Sequence, residues 1–333
     1  MHAFMYKRDI HILRYFSSFV SVSQGQVINI TEPKLIFCPL ASHLYEGFRV
    51  VSGNDKQAVK DAIKKVIELK IRDYGFFTDN RKLLSNDAVI PFGASEMVSM
   101  ALKKKAIEAA VLVCDGAGTV VVNDPEVSQG IGARMNSLLL TSPIKGVIER
   151  LKSFGCRIVF ENALINQVGG VKDALKAGYK NIVVTVCGHS AEDLEKLRFL
   201  EKENGLNLII LALCTTGISE DEINMIRAYA DLAWSCASSG VRRVIGPLSI
   251  LQLSRQIPVF VLTKKGLDFV SAYARQERLI RGLDIDKQYL VSNDSGGQSV
   301  HFGRFNAYIA EFNLPAGSQK EPVFRGEKRI LSV

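Results

Sequence analysis

Four cysteines occupy matching places in this chain. Cys114, Cys187, Cys214 and Cys236 each end an apolar run and are followed by DGAGT, GHS, TTG and ASSG respectively. A thiolate is both a nucleophile and a soft metal ligand. Sulfurs converging on one pocket would suit a soft metal or an iron–sulfur cluster, with Cys114, Cys187, Cys214 and Cys236 as ligands. Alternatively, one of them would serve as a nucleophile activated by helix N-termini. The competing explanation is packing, since cysteine is small, apolar and readily buried. Cys114 is set apart by its neighbour Asp115, so this pair is the candidate for catalysis, as nucleophile and as acid or base.

The loops beside these cysteines carry glycines and hydroxyls. Gly116, Gly118 and Thr119, then Thr215 and Thr216, then Ser238 and Ser239, would suit a phosphate or carboxylate bound by exposed backbone N–H groups. His189, two residues past Cys187, is a further candidate for substrate contact, although a capping or exposed role explains it as well. His43 lies five residues after Cys38, a spacing that matches no strong metal motif. Asp124 in NDP fits turn formation. No Walker A loop occurs, and the G-x-G elements at Gly116 and Gly130 lack the setting of a dinucleotide fingerprint. No cofactor is identified by any of these patterns.

The elements that must position these groups follow from periodicity. Residues 19–30 alternate around Gln24 and Gly25, the pattern of a tight hairpin. Residues 35–40 (LIFCPL) resemble a short strand ending at Pro39. Val59, Ala62, Ile63, Val66 and Ile67 mark one face of a helix over 55–72, with Asn54 or Asp55 as cap. A second helix is expected over 95–105, and VLVCDGAGTVVV then reads as strand, tight loop, strand. Ser142 and Pro143 are placed to start a helix running to about residue 152.

From residue 156 the chain alternates strand and helix five times. The strands are expected at 156–160, 181–187, 206–214, 231–236 and 257–263, each followed by a helical stretch. Continuous apolar strands alternating with amphipathic helices predict an α/β fold with a mostly parallel sheet covered on both faces. A doubly wound open sheet is the first choice and a closed β/α barrel the alternative, with a small N-terminal β-hairpin element besides. In a parallel sheet the four cysteines share one edge, where such folds hold their ligands. The expected organisation is a hairpin segment (1–53), an α/β part with the CDGAGT loop (54–154), repeated βα units (155–276) and a C-terminal extension and tail (277–333), in which 301–312 form an edge strand or short helix.

Composition narrows the class. Hydrophobic residues are 47% and charged residues 23% of 333, as in a globular protein. No run reaches the length of a membrane span and no secretory leader opens the chain, so a cytosolic location and thiols rather than disulfides are expected. The six cysteines include no CxxC pair, which argues against a zinc ribbon or a thioredoxin-type site. The net charge of +8 favours an anionic partner. Its basic residues are scattered, however, and Lys103 to Lys105 form the longest run, so nucleic acid is not the expected ligand.

Several segments resemble the methanogenesis marker protein 8 family: FCPL at 37–40, CDGAGTVVVNDPEVSQGIGARMNSLLLTSPI at 114–144, NQVGGVKDALKAGYKNIVVTV at 166–186 and CASSGVRRVIGPLSILQLSRQIPVFVLT at 236–263. The resemblance spans about residues 19–275, and the segment before Phe19 has the character of an extension. It implies an archaeal, cytosolic role supporting methanogenesis, such as maturation of an enzyme or cofactor, and it carries no catalytic residues across. The leading expectation is an accessory protein that binds an anionic small molecule or a metal centre at the strand ends. An enzyme using Cys114 and Asp115 on an anionic substrate is the second, and a non-catalytic scaffold for protein partners of methanogenic metabolism the third.

Overall fold

The computed structural model describes residues 9–36, 38–45 and 55–317. The chain opens with β1 (His11–Tyr15), β2 (Ser18–Ser23) and β3 (Gln26–Ile30). Gln24 and Gly25 both take positive φ (50° and 67°), the backbone that a two-residue hairpin turn requires, so the expected hairpin joins β2 to β3. Residues 35, 36 and 38–40 do not form the expected strand. Pro39 instead takes the first position of α1 (Pro39–Leu44), with Cys38 as its N-cap, because a fixed φ and a missing N–H suit a helix start. Phe37 and the cap candidate Asn54 lie outside the described residues.

Helix α2 (Lys56–Tyr74) follows the expected apolar face, burying Val59, Ile63, Val66 and Ile67 against the small sheet. The Asp55 carboxylate caps it by accepting from the N–H groups of Gln57 and Ala58, and left-handed Gly75 ends it. Then come α3 (Ala94–Lys103), β4 (Ala109–Cys114), β5 (Gly118–Val122), α4 (Pro125–Gly132), β6 (Ser137–Thr141), α5 (Lys145–Ser153) and β7 (Arg157–Ile158). Next are α6 (Gln167–Lys176), β8 (Asn181–Cys187), α7 (Glu192–Asn204), β9 (Asn207–Leu213), α8 (Glu220–Tyr229), β10 (Leu232–Trp234) and α9 (Ser239–Val244). The last elements are β11 (Leu251–Leu253), β12 (Val259–Val261), α10 (Lys264–Tyr273), α11 (Glu277–Arg281), β13 (Tyr289–Ser292), β14 (Gln298–Phe302) and β15 (Phe305–Glu311).

The larger sheet is mixed rather than mostly parallel, and it is open, running β14-β15-β13-β11-β12-β10-β9-β8-β4-β5-β7. Only β4, β8, β9 and β10 form a continuous parallel block. Short connections reverse the chain on either side of it, since a tight loop can join only antiparallel neighbours. The loop after Cys114 returns β5 antiparallel to β4, and residues 254–258 return β12 antiparallel to β11, so 257–263 is not a further parallel unit. The expected strand at 156–160 shrinks to β7, an edge pair against β5. The C-terminal region supplies β13 and a hairpin, β14 with β15. Among the described residues β14 and β7 are free edges, so no barrel closes.

Alternation along the central strands divides the core. Ala110, Leu112, Val183, Ile209 and Leu211 pack with residues of α3, α4, α5 and α10 on one face. Val111, Ile182, Val184, Leu208 and Ile210 pack with α6, α7, α8 and α9 on the other. The second sheet, in the order β3-β2-β1-β6, lies with α2 over the carboxyl ends of the parallel block. Its β6 takes up residues that precede α5, and Ser142 is not a helix cap. The Ser142 hydroxyl instead bonds to the Ile10 backbone, and α5 begins at Lys145.

One buried ion pair fastens the two layers. Arg81 Nε donates to Asp115 Oδ1 at 2.8 Å, and the Phe77 N–H donates to Asp115 Oδ2 at 2.7 Å. The Arg81 guanidinium also reaches the Gly130 carbonyl at 2.9 Å and stacks 3.7 Å from the Phe76 ring centre. Removing one partner of such a pair strands a buried charge, so Asp115→Ala should lose about 3–5 kcal/mol of unfolding free energy. Guanidinium unfolding measures this, and an unchanged midpoint would show that the clamp does not hold the layers together.

Candidate functional site

Three of the four strand-end cysteines meet, and the fourth does not. Cys187 ends β8 opposite Leu213 of the parallel strand β9, so Cys214 is the next residue along the rim. The two thiols are near enough that the titration of each depends on the other. Cys236, just beyond β10, receives the backbone N–H groups of Cys214 and Thr215 on its sulfur. Cys214 and Cys236 both have left-handed backbones, with φ of 56° and 45°. That conformation costs a non-glycine residue about 1–3 kcal/mol and persists where surrounding contacts over-determine it, often at functional sites.

The cysteines line adjoining cavities between the rim and the small sheet. One of about 130 Å³ is bordered by Cys187, Cys214 and Ser137. Another of about 90 Å³ is bordered by Cys38, Cys214, Cys236, Arg14 and Thr216. A third of about 130 Å³ reaches Lys70, Cys214 and Cys236. Met135, Asn136 and Cys214 border all three.

Of the six cysteines, Cys187 is the one whose pKa is lowered. Its acidity rises first through the Cys214 thiol, then through the Ser137 hydroxyl at 3.2 Å, the His189 backbone N–H and the Arg14 charge. Together these outweigh burial and hold its pKa below the ordinary thiol range. Cys214 moves the opposite way, because its proton is shared with the Cys187 sulfur and its own sulfur is buried. The pair therefore holds one proton readily and releases the other early. Burial pushes Cys236 up to about 12 and raises Cys38 as well.

Arg14 reaches this rim from β1. Its Nη1 faces both His189 ring nitrogens and lies nearer to Nε2; a guanidinium can only donate, so the ring must offer a lone pair and be neutral. Burial, with Arg14 second, lowers the His189 pKa accordingly. Glu222 lies 3.7 Å from His189 Nδ1, and the Thr216 carbonyl lies 3.3 Å from Nε2. Among the described residues Arg14 makes no ion pair, and its buried Nε has no hydrogen-bond partner. A cation with donor capacity left over beside a thiolate is suited to an anion.

Cys114 is sealed away from these groups. It is fully buried, its thiol points to the Asp115 carbonyl, and burial with the neighbouring Asp115 charge raises its pKa far above the ordinary value. Both Asp115 oxygens are taken up, one by Arg81 and the other by the Phe77 N–H. The DGAGT loop is likewise filled. The Gly116 N–H donates to Thr141 Oγ1, the Thr119 N–H to the Leu164 carbonyl, and Thr119 Oγ1 to Gln167 Oε1. A Cβ at Gly118 would lie 2.2 Å from the Ala163 carbonyl oxygen, so this glycine permits close backbone packing and not ligand approach.

Of the remaining candidates, Thr215 is buried and donates to the Trp234 carbonyl, and Ser238 caps α9. Ser239 is the first residue of that helix. Thr216 does line a cavity, and His189 lies at the rim through Arg14. His43 is exposed in the last turn of α1. Asp124 caps α4. Among the described residues no group of three or more His, Cys, Asp and Glu side chains is arranged to hold a metal ion. Sequence carries no signal for Arg14 and Ser137, which lie on strands of the small sheet, nor for Lys70. Buried in α2 among Tyr15, Tyr45 and Phe76, Lys70 donates to the Arg134 carbonyl and Asn136, and desolvation brings it down to about 7.

An open mixed sheet with a thiol-lined pocket under a second, smaller sheet defines a mixed α/β protein with a strand-end site. The chain belongs to the family described as "Uncharacterized protein conserved in archaea (DUF2099)", whose profile matches residues 11–275. An uncharacterised protein of Methanocaldococcus jannaschii is 36% identical over 269 residues, covering 80% of this chain and 88% of that relative. Among the described residues no helix is long and apolar enough to cross a membrane.

Thiol reactivity separates Cys187 from the rest. A pKa of about 6 against roughly 8.5 for an ordinary thiol raises the thiolate fraction at pH 6 more than a hundredfold, and weaker nucleophilicity reduces this to about tenfold. Iodoacetamide should therefore label Cys187 first, with a rate that rises through about pH 6 and levels off by pH 8, while Cys114 stays unlabelled until unfolding. Peptide mapping over a pH series checks this, and a Cys187 profile still climbing above pH 8 would contradict it.

Proposed function

We propose that this protein binds an anionic small molecule in the pocket at the carboxyl ends of β8, β9 and β10 and presents the Cys187 thiolate to it. The observation that carries this is the meeting of Arg14, a cation without a carboxylate partner among the described residues, with the paired sulfurs of Cys187 and Cys214. An anion would complete the Arg14 hydrogen bonding that the protein leaves open. The thiolate would then face a bound ligand across a distance set by two sheets. Within the earlier alternatives, a small anion fits these groups better than a metal centre, and the reactive thiol moves from Cys114 to Cys187.

The setting is taken to be the cytosol of a methane-forming archaeon, in support of methanogenesis. Two things support this: the resemblance of residues 19–275 to the methanogenesis marker protein 8 family, and a relative from Methanocaldococcus jannaschii.

Charge selection at Cys187 tests the binding half. Iodoacetate, an anion, and iodoacetamide, its neutral analogue, alkylate the same sulfur, so their rate ratio cancels the thiolate fraction. Arg14→Gln should lower the iodoacetate-to-iodoacetamide ratio about three- to tenfold, the size expected when about 1 kcal/mol of charge interaction is lost. Sulfate should slow alkylation of the natural protein more than that of the variant. A ratio unaffected by Arg14→Gln would remove the anion site.

A further inference from the structure

We propose that Cys187 and Cys214 form a redox-active dithiol that exchanges with small anionic disulfides. This rests on the pocket reading above and specifies the chemistry of its ligand.

The argument begins with placement. Adjacent parallel strands lie about 4.8 Å apart, within the roughly 4.4–6.8 Å between Cα atoms that a disulfide bridges. Cys187 and Cys214 stand one register step from direct opposition on two such strands, and each acts on the titration of the other. Both border one cavity, and Cys214 also borders the one that Arg14 lines. The left-handed backbone of Cys214 belongs to the turn that leaves the strand at that point. Thiol–disulfide exchange needs these parts: a thiolate to attack, a second thiol close enough to resolve the adduct, and room for the incoming disulfide. Arg14 adds a preference for substrates carrying carboxylates, sulfonates or phosphates near the disulfide.

The step balances as follows. The Cys187 thiolate attacks one sulfur of RS–SR, the substrate S–S bond breaks, and RS⁻ leaves, taking up the proton that Cys214 releases. The Cys214 thiolate then attacks the Cys187 sulfur of the mixed disulfide. A Cys187–Cys214 bond forms, and the second RS⁻ leaves and is protonated by solvent. Two electrons pass from the cysteine pair to the substrate, which becomes two thiols. An external dithiol then reduces the Cys187–Cys214 bond, becomes a disulfide itself and regenerates the two thiols.

The test uses the full chain, reduced, with oxidised glutathione as the anionic probe and bis(2-hydroxyethyl) disulfide as the neutral one, followed by mass spectrometry of intact protein and peptides. Oxidised glutathione should leave a Cys187–Cys214 cross-link and release two glutathiones per chain. Cys214→Ser and Cys214→Ala should both stop at a glutathione adduct on Cys187, and Cys187→Ser should form neither product. Arg14→Gln should lower the ratio of the glutathione rate to the neutral-probe rate several-fold, and an unchanged ratio would remove Arg14 from substrate selection. A natural protein that stops at the stable Cys187 adduct, or cross-links Cys187 to Cys236 instead, would overturn the dithiol while leaving the thiolate pocket intact. Failure of Cys187 to react with either disulfide or with iodoacetamide would overturn both.

Discussion

Everything at the rim depends on the parallel ladder between β8 and β9. Seven consecutive residue pairs, from Asn181 with Asn207 to Cys187 with Leu213, hold the two strands in one register. Because both strands run the same way, the residues that end them emerge side by side. A slip of one residue would turn each side chain to the other face of the sheet. Such a slip would carry Val184 and Ile210 out of one core and Val183 and Ile209 out of the other, so burial on two faces holds the register and, with it, the meeting of two sulfurs.

A rim is only half of a pocket. The other half is the small sheet, whose β1 and β6 bring Arg14 and Ser137 over the strand ends. That layer is held down by polar contacts that the sealed interior makes strong: Arg81 with Asp115, and Thr141 with the Gly116 N–H. Glycine at 116 and 118 lets the β4–β5 turn lie against Ile144 and the Ala163 carbonyl. The DGAGT turn is thus a fastening of the architecture, and its glycines serve packing.

The division of labour among the cysteines follows from surroundings rather than from residue type. Cys114 and Cys156 lie in apolar interior, where a thiolate finds no solvation and the proton stays on. Cys187 lies where a hydroxyl, a backbone N–H, a second thiol and a guanidinium all favour the charged form. The same side chain is therefore inert at the end of β4 and activated at the end of β8.

Residue pattern alone determined the helices α2, α6, α7, α8 and α10, the β2–β3 and β4–β5 hairpins, and the fact that the central strands are buried on both faces. It also placed Cys187, Cys214 and Cys236 on a common edge, because a strand's polarity follows once its neighbours are parallel. Periodicity reports how often a side chain meets the core, and it is silent on which strand lies alongside or in which direction. The antiparallel setting of β12, and the pairing of the short strands β11 and β13, came from loop lengths and distant hydrogen bonds. Only the tertiary structure could set Cys114 apart and bring in Arg14 from the far end of the chain. Hydrogen bonding and charge act through space, and 175 positions of sequence separate Arg14 from the histidine it touches.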